Sequence, residues 1–306
     1  MASETAVLLK ADLPLPLFIR GKVRDTYDLG NQLLIIATDR ISAFDFVLPN
    51  GIPLKGKVLN QLSAFWFKKT ASLVPNHLIE AVDDVRCLDS YLTGKSRFDY
   101  PAFLGGRSMI VKRAKRIPVE CVVRGYLSGS AWAEYKQSGT INDIKMPAGL
   151  QESQELPEPF FTPTTKAEAG HDLPLTMAEM KKLAGDEKLA EELKQKSLEI
   201  YAYAQEYARA RGIIIADTKF EFGLDNGKLI LIDELLTPDS SRFWDAKLYK
   251  VGQPQPSYDK QPLRDWLVAG GWNKEPPAPT LPPEVVESTS QRYQEAYYRL
   301  TGKGVS

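Results

Sequence analysis

The chain has 306 residues, enough for one large or two medium domains, and its 39 basic and 39 acidic residues leave no formal net charge. This balance gives no general attraction to nucleic acid or to anionic membranes, although a local anion pocket stays possible. No apolar run approaches the roughly 20 residues of a membrane span, and no signal peptide is visible. We therefore expect a globular protein of the cytoplasm.

The cysteines and histidines are too few and too scattered for a metal or redox centre. Cys87 and Cys121 match no ligand spacing, which predicts free thiols in a reducing compartment. His77 is expected at the surface or at a helix end. His171 lies in a long loop, where it could contact a ligand.

The first third of the chain is predicted to be rich in strands. Residues 33–39 form an apolar run typical of a buried strand, and 108–117 and 119–126 predict two more, separated by Pro118. Between them, residues 57–73 carry apolar side chains at helical spacing. We assign the aromatic stripe of this helix to the core.

Of two glycine-containing stretches near the N-terminus that resemble phosphate-binding loops, one is kept as a candidate and one is rejected. Residues 20–30 form a basic turn in which the alternating cations Lys22 and Arg24 point the same way, although a simple surface turn fits equally well. Residues 51–58 nearly match a P-loop. Pro53 interrupts that loop and the final hydroxyl that would bind Mg²⁺ is missing, so we reject it.

A second candidate anion site lies in residues 122–135. A predicted strand ends at Arg124, and Ser130 stands at the predicted N-cap of the next helix, whose free N–H groups and dipole favour an anion. Arg242, in the later motif SSRFWD, could join this pocket. The alternative is that Ser130 serves only as a helix cap.

The middle of the chain combines a long connection with two helices. Residues 146–174 contain several prolines and little periodicity, which in a compact domain indicates either a functional or a disordered segment. Thr176 and Glu179 form a capping-box pattern at the start of one helix, and residues 187–210 predict a longer one. A proline-rich stretch and an amphipathic helix end the chain.

The stretch GIIIADTKFEFG, residues 212–223, places charges in a strand that its apolar residues mark as buried. Side chains alternate along a strand, so Asp217, Lys219 and Glu221 share one face. A buried face with an acid, a base and another acid indicates a binding or catalytic site. A solvated, salt-bridged sheet face is the alternative.

The next strand, residues 228–234, is expected to bring a second carboxylate to this face. The Asn226-Gly227 pair predicts a hairpin. Simple pairing then sets Glu221 opposite Ile232, whereas a bulge would set Asp233 opposite Glu221. Two buried carboxylates need a counter-ion, and Mg²⁺ prefers one or two carboxylates together with phosphate oxygens and water.

Seven motifs give nearly the whole chain, from about Gly21 to the last helix, a resemblance to the SAICAR synthetase family. They are GKVRDTY, ATDRISAFD, GKVLNQLSAFWF, PVECVVRGYLSGSAW, EPFFTPTTKAE, IIADTKFEFG and DELLTPDSSRFWD. The length and the SYDKQPLRDWL tail resemble the fungal single-function form. The chain departs from the family in KAEAGHDLPL, where one acid is missing before His171 and another after Asp172.

The resemblance implies an ATP-dependent ligase of purine biosynthesis. Such a ligase joins carboxyaminoimidazole ribonucleotide (CAIR) and L-aspartate to give SAICAR, ADP and phosphate, with an acyl phosphate as the activated intermediate. The alternatives are another ATP-dependent carboxylate–amine ligase and a nucleotide-binding module without turnover. We expect only small-molecule partners and a monomer, with a dimer as the alternative.

The resemblance also implies which residues would handle ATP and metal. Lys22, Arg24 and Lys219 would neutralise the phosphates of ATP. Glu221 would bind Mg²⁺ at the ATP phosphates together with Asp233, and Glu234 is the alternative to Asp233. The resemblance favours Asp233, and therefore the bulged register.

Further residues are implied at the substrates. Arg124, Ser130 and Arg242 would bind the 5′-phosphate of the ribonucleotide. Asp217 would act beside Lys219, either orienting it or relaying a proton. The other expected substrate contacts are Asp39, Arg40, Ser42, His171 and Asp172.

The implied fold is α+β in three parts, with ATP between the first two. They are an N-terminal antiparallel nucleotide-binding domain (1–115), an ATP-grasp-like substrate and metal domain (116–250), and a C-terminal proline-rich segment with a helix (251–306) that wraps over the body.

Overall fold

The computed structural model describes residues 6–92, 97–166 and 172–306. They divide into two compact units. The first combines the described residues up to Lys69 with His77–Ala114 and Asp259–Ser306, and the second comprises Thr70–Asn76 and Lys115–Tyr258. The segment 251–306, predicted as a separate part, is therefore divided. Its larger portion belongs to the first unit, because its last helix packs against the helix of residues 55–69.

The first unit is built on a five-stranded antiparallel sheet in the order β1-β2-β3-β7-β6, with a separate β4-β5 pair. Numbered along the whole chain, its elements are β1 (Leu17–Arg20), β2 (Arg24–Asp28), β3 (Gln32–Ala37), β4 (Arg40–Ala43), β5 (Phe46–Gly51), α1 (Lys55–Lys69), β6 (Leu78–Val82), β7 (Ser108–Lys112), α5 (Gln261–Ala269) and α6 (Pro283–Thr301). Its antiparallel pairing confirms the expected fold class.

Helix α1 supplies the aromatic core that its spacing predicts. Trp66 and Phe67 are fully buried, and Lys68 and Lys69 stand in the last turn, where cations are favoured by the helix dipole. The predicted surface position of His77 is wrong: its ring is buried, with its centroid 5.0 Å from that of Phe67.

The second unit is built on a sheet in which β11, β8, β13 and β14 lie side by side, with β12 also pairing with β8 and β15 with β13. Its elements are β8 (Lys115–Tyr126), α2 (Gly129–Ser138), β9 (Thr140–Ile141), β10 (Ile144–Lys145), β11 (Glu155–Phe161), β12 (Thr164–Thr165), α3 (Met177–Ala184), α4 (Glu187–Arg209), β13 (Ile213–Asp225), β14 (Lys228–Ile232) and β15 (Ser241–Asp245).

Strand β13 is the centre of this unit. It pairs with β8 along one edge, while its other edge pairs with β15 near its start and with β14 near its end. Helix α4 packs against both β8 and β13. This burial explains why Ile213, Ile214 and Ile215 form an apolar run without alternation.

The hairpin between β13 and β14 confirms the predicted turn. Asp225 pairs with Lys228, and Asn226 and Gly227 have φ angles of 50° and 79°, as a two-residue type I′ turn requires. Glu221 pairs with Ile232 without any shift, so the bulged register is wrong.

The sequence suggested that Pro118 separates two strands. In the structure it lies inside β8. Between two of its pairings with β13, β8 runs from Arg116 to Glu120 while β13 runs only from Glu221 to Gly223. The extra residues of β8 form a bulge that contains Pro118. A proline is tolerated at a bulge, because its missing N–H is not needed for the ladder.

The described parts of the long connection, residues 146–166 and 172–174, are more ordered than its composition predicts. They contain β11 and β12, which both pair with β8. Pro157 and Pro159 fit into β11 because it is an edge strand, and its pairing is irregular between Glu155 and Phe160. The capping box of Thr176 and Glu179 is present at the start of α3, as predicted.

Two findings concern disulfide bonds and membrane-spanning helices within the described ranges. Cys87 and Cys121 are free thiols, as expected. No helix within these ranges is both long and apolar enough to cross a membrane.

The hairpin turn can be tested with a glycine substitution. Gly227→Ala places a side chain at φ 79° in open space, and is expected to destabilise the protein by about 1 kcal/mol through backbone strain alone. Urea unfolding measures this change. Gly304→Ala is the matched control, since it also adds a methyl group in open space but has no positive φ. Equal stability of the two variants would contradict the turn assignment.

Candidate active site

The pairing of β8 with β13 gathers charged side chains on one face of the second unit's sheet. Asp217 lies opposite Arg124, and four residues further along β13 Glu221 lies opposite Glu120. The face therefore carries two groups of residues about 13 Å apart along the strand. We call them the carboxylate cluster (Glu120, Lys166, Lys219, Glu221 and Asp233) and the arginine clamp (Arg124, Ser130, Asp217 and Arg242).

Two lysines hold the carboxylate cluster together. Lys166 Nζ lies 2.6 Å from Glu120 Oε1 and 2.7 Å from Glu221 Oε1, so it bridges the two facing acids. Lys219 Nζ lies 3.0 Å from Glu120 Oε2. Lys219 is the more exposed of the two lysines, with 46% of its side chain accessible against 26% for Lys166. It is therefore the cation better able to reach a ligand.

The pKa values of the two glutamates of this cluster are shifted in opposite directions. Burial, followed by the charge of Asp233, raises the pKa of Glu221 to about 7, against the opposing effect of Lys166. Burial would also raise the pKa of Glu120, but Lys219 and Lys166 outweigh it and leave that pKa lowered. The two lysines thus favour the anionic form of Glu120, whereas the charge of Glu221 is compensated only in part by its surroundings.

Asp233 reaches the cluster without the predicted bulge. It follows the last residue of β14, and its backbone turns into the left-handed region at φ 69°, which aspartate tolerates better than most residues. Its charge acts on Glu221. Glu234, the alternative metal ligand, instead accepts a hydrogen bond from Thr237 Oγ1 at 2.5 Å. The structure therefore favours Asp233 as the partner of Glu221.

Glu120 and Lys166 are two members of this cluster that the sequence analysis missed. Glu120 had a visible signal, because it alternates with Arg124 in an apolar strand as Asp217 does with Glu221. Lys166 had no local signal: it follows the two-residue strand β12, and its position beside Glu120 arises only from pairing with β8.

The arginine clamp is formed by three neighbouring strands. Asp217 on β13 pairs with Arg124 on one side and with Arg242 on the other. Its Oδ2 lies 2.5 Å from Arg242 Nη1 and 3.5 Å from Arg124 Nη1. Arg124 also donates to Thr162 Oγ1 at 3.0 Å and to Ser130 Oγ at 3.1 Å. Two guanidinium groups against one carboxylate leave the clamp with an excess positive charge.

The N-terminus of α2 completes the clamp. Its N-cap is Ser128 rather than the predicted Ser130, and the Ser128 side chain makes no capping hydrogen bond. Gly129 has φ 57°, and a Cβ there would lie 2.3 Å from Arg242 Nη2, so only glycine lets the guanidinium approach so closely. Helix N–H groups and two arginines at one point form a site for an anion such as phosphate.

The predicted contact of Asp217 with Lys219 is replaced by its contacts with the two arginines. Residues two apart on a strand are roughly 7 Å apart on the same face, whereas directly paired residues on neighbouring strands are nearer. Asp217 therefore orients the clamp, and Lys219 turns to Glu120 instead.

Two of the residues predicted to contact substrates serve the structure of the first unit. Asp39 is fully buried and accepts from the N–H groups of Leu8 and Gly56, both at 2.8 Å, and from Arg107 at 3.0 Å. Arg40 pairs with Asp25 at 2.8 Å. It also donates to the carbonyl oxygens of residues 9, 21 and 22, which fixes the turn between β1 and β2.

The other predicted residues of the first unit remain accessible. Lys22 is exposed and lies 2.5 Å from Asp45, while Arg24 and Ser42 are half-buried. Asp172, in the second unit, is exposed, and His171 lies outside the described residues.

The carboxylate cluster suits a metal ion that takes part of its ligands from elsewhere. Among the described residues, no group of three or more histidine, cysteine or acidic side chains is placed to hold a metal. Glu221 and Asp233 form a pair, and burial together with the charge of Asp233 raises the pKa of Glu221. Such a pair fits Mg²⁺, which commonly uses two carboxylates and fills its other positions with phosphate and water.

Comparison with known proteins identifies the family. The SAICAR synthetase family profile matches residues 17–279. A phosphoribosylaminoimidazole-succinocarboxamide synthase of Thermodesulfovibrio yellowstonii is 54% identical over 296 residues, which cover 96% of this chain and 99% of that protein. The chain belongs to the SAICAR synthetase family.

Solved structures agree with this assignment. SAICAR synthase from Saccharomyces cerevisiae, complexed with SAICAR, is 46% identical and has a TM-score of 0.87, with 98% of this chain and 99% of that chain covered. A SAICAR synthetase in complex with ADP is 25% identical with a TM-score of 0.68, over 94% of this chain and 99% of that chain. The likeness extends over both units.

The raised pKa of Glu221 predicts a measurable pH dependence. Folding raises this pKa from 4.5 to about 7, so the folded protein holds the proton more tightly, and stability is lost as the pH rises through this window. In EDTA-containing buffer, Glu221→Gln is expected to raise the free energy of unfolding at pH 8 by on the order of 2 kcal/mol, and by much less at pH 5.

Urea unfolding at both pH values checks this expectation. Glu158→Gln, the same substitution at an exposed position on β11, is the control and should show no such difference. A Glu221→Gln variant that is destabilised at pH 8 would contradict the assigned electrostatics.

Proposed function

We propose that this ATP-dependent ligase of purine biosynthesis joins the carboxylate of CAIR to the amine of L-aspartate, giving SAICAR, ADP and phosphate. The observation that carries the proposal is the arginine clamp beside the carboxylate cluster on one sheet face. The arginine clamp suits the ribonucleotide phosphate, and the carboxylate cluster suits phosphoryl transfer at the far end of the same substrate. Solved structures of family members complexed with SAICAR and with ADP support these two classes of substrate.

The arginine clamp would hold the 5′-phosphate of the ribonucleotide. Arg124 and Arg242 each offer a planar guanidinium, and Asp217 keeps both in place while leaving a net positive charge. Ser130 and the first N–H groups of α2 add uncharged donors. The phosphate would thereby fix the position of the imidazole ring that carries the reacting carboxylate.

The carboxylate cluster would serve the ATP phosphates. Glu221 and Asp233 would bind Mg²⁺, which neutralises phosphate charge and helps to align the γ-phosphoryl group. Lys219 is accessible enough to contact the phosphates directly. Its ammonium group is held at the sheet face by the carboxylate of Glu120. Lys22 and Arg24 remain candidate phosphate contacts in the first unit. Asp172 and His171 remain candidates for the amino-acid substrate.

The chemistry explains why such a site is needed. A carboxylate is a poor acyl donor, because an oxide would have to leave. Transfer of the γ-phosphoryl group to the CAIR carboxylate creates an acyl phosphate, from which the amine of aspartate displaces phosphate. The residues assigned here hold the two anionic substrates and neutralise the charge on the transferred group.

The decisive experiment is to measure ADP release from Mg-ATP and CAIR, with and without L-aspartate. Release that depends on aspartate, with formation of the succinocarboxamide, would establish the reaction and its substrates together. ADP release with a different acid or amine would favour another carboxylate–amine ligase. ATP binding without any turnover would favour a nucleotide-binding module.

Substitution of the proposed metal ligand should abolish this reaction. Glu221→Gln removes one metal-binding charge from a preformed strand, and is expected to lower kcat by at least about 100-fold while the protein stays folded. Steady-state ADP release across a range of Mg²⁺ concentrations checks this. Glu158→Gln is again the control. Near-normal kcat with an unchanged Mg²⁺ dependence would exclude Glu221 as a ligand.

Substitution in the clamp should affect one substrate selectively. Arg124→Ala removes a bidentate phosphate contact, and is expected to raise the KM for CAIR by about 10- to 100-fold while leaving the KM for ATP unchanged. Arg116→Ala, an exposed arginine on the same strand, is the control. A selective loss of ATP affinity would show that the two phosphate sites had been exchanged.

A further inference from the structure

The clamp depends on an irregularity in β13. Ile215 pairs with Phe243 of β15, but the next pair joins Asp217 to Arg242, so β13 contains one extra residue, Ala216. Such a bulge changes which side chain faces the neighbouring strand. Without it, the residue opposite Arg242 would be Ala216, and the clamp would lose its carboxylate.

A tyrosine from α4 contacts the backbone at this bulge. The hydroxyl of Tyr201 donates to the carbonyl oxygen of Ile215 at 2.6 Å, and both residues are fully buried. Burial raises the pKa of Tyr201 well above its ordinary value, so the phenol keeps its proton and remains a donor. This hydrogen bond therefore holds the residue that immediately precedes the bulge.

The same hydroxyl also lies against β8. A Cβ at Gly125 would be 2.0 Å from Tyr201 Oη, so the tyrosine occupies the space that any larger residue at 125 would need. Side chains alternate along β8, so this space lies on the face opposite to Arg124. Tyr201 thus supports, from behind the sheet, the two strand segments that carry Arg124 and Asp217.

We infer that Tyr201 is a positioning residue for the ribonucleotide phosphate: it fixes the bulge at Ala216, and through it the placement of Asp217 between Arg124 and Arg242. This inference rests on the proposed function, because it assigns Tyr201 to the site proposed for that phosphate. Tyr201 touches no substrate. It acts through the backbone, and Gly125 provides the room that its hydroxyl needs.

The test is the variant Tyr201→Phe, which removes only the hydroxyl and keeps the ring in the core. The KM for CAIR is expected to rise by about tenfold, because a loosened bulge misplaces the clamp, while kcat and the KM for ATP stay unchanged. Tyr203→Phe is the control, since Tyr203 is an exposed tyrosine on the same helix. An unchanged KM for CAIR would overturn the inference, and so would an equal rise in both KM values.

A second variant tests the same contact without removing the hydroxyl. Gly125→Ala places a methyl group where Tyr201 Oη lies, and is expected to raise the KM for CAIR as well. In the Tyr201→Phe background the added methyl group should have a smaller effect, because its nearest contact is gone. Additive effects would show that the two positions are not coupled.

A binding assay separates this inference from the reaction itself. Titration calorimetry with ribose 5-phosphate measures the clamp alone, and Tyr201→Phe is expected to weaken binding by about tenfold relative to wild type. If the wild-type protein binds ribose 5-phosphate more tightly than Tyr201→Phe but does not convert CAIR, the proposed function fails while the positioning role stands. Equal binding by wild type and variant would overturn the positioning role whatever the reaction.

Discussion

The register between β8 and β13 is the constraint on which the site depends. It sets Glu120 directly opposite Glu221, a like-charge pair that would destabilise the sheet on its own. Lys166 lies between the two carboxylates and makes the arrangement tolerable. A slip of one residue would turn one strand's charges to the other face, where α4 packs against the sheet. The apolar residues of that face therefore hold the charged face in place.

The same register also produces the arginine clamp, and this links the two ends of the site. Asp217 and Glu221 stand on one continuous strand, so their separation is set by backbone geometry rather than by loops. A rigid element suits a reaction in which one end of a substrate is held while the other end is modified. Segments outside these strands contribute residues whose partners lie on this strand pair, such as Lys166 after β12 and Ser130 in the first turn of α2.

Local signals in the sequence were sufficient where the structure is local. The Asn226-Gly227 turn and the capping box at Thr176 involve residues within a few positions of each other, and both are present. The charged face of β13 was also visible, because alternation needs only one strand. The resemblance to a known family added the fold class, which the structure confirms, and the prediction that Asp233 is a metal ligand.

The features that the sequence analysis missed or misplaced depend on interactions between distant segments. Pro118 could be placed inside a strand only once the bulge against β13 was known. Lys166 could be connected to Glu120 only through the pairing of β12 with β8, and Tyr201 to Asp217 only through the packing of α4. Register and packing of this kind are not encoded in any short stretch, so a single sequence does not reveal them. Asp233 was expected opposite Glu221 through a bulge, whereas in the structure the register has no shift and Asp233 follows β14 as a left-handed residue.

The prolines of β11 have a consequence for the behaviour of the protein at high concentration. An edge strand offers unpaired backbone groups to other chains, and is therefore a site where sheets can join and aggregate. Pro157 and Pro159 remove donors from this edge, and Glu155 and Glu158 add charge to it. At the opposite edge, the N–H of Leu231 already donates to the carbonyl oxygen of Pro75. Strands β11 and β14 of the sheet that carries the candidate active site are thus protected against pairing with another molecule.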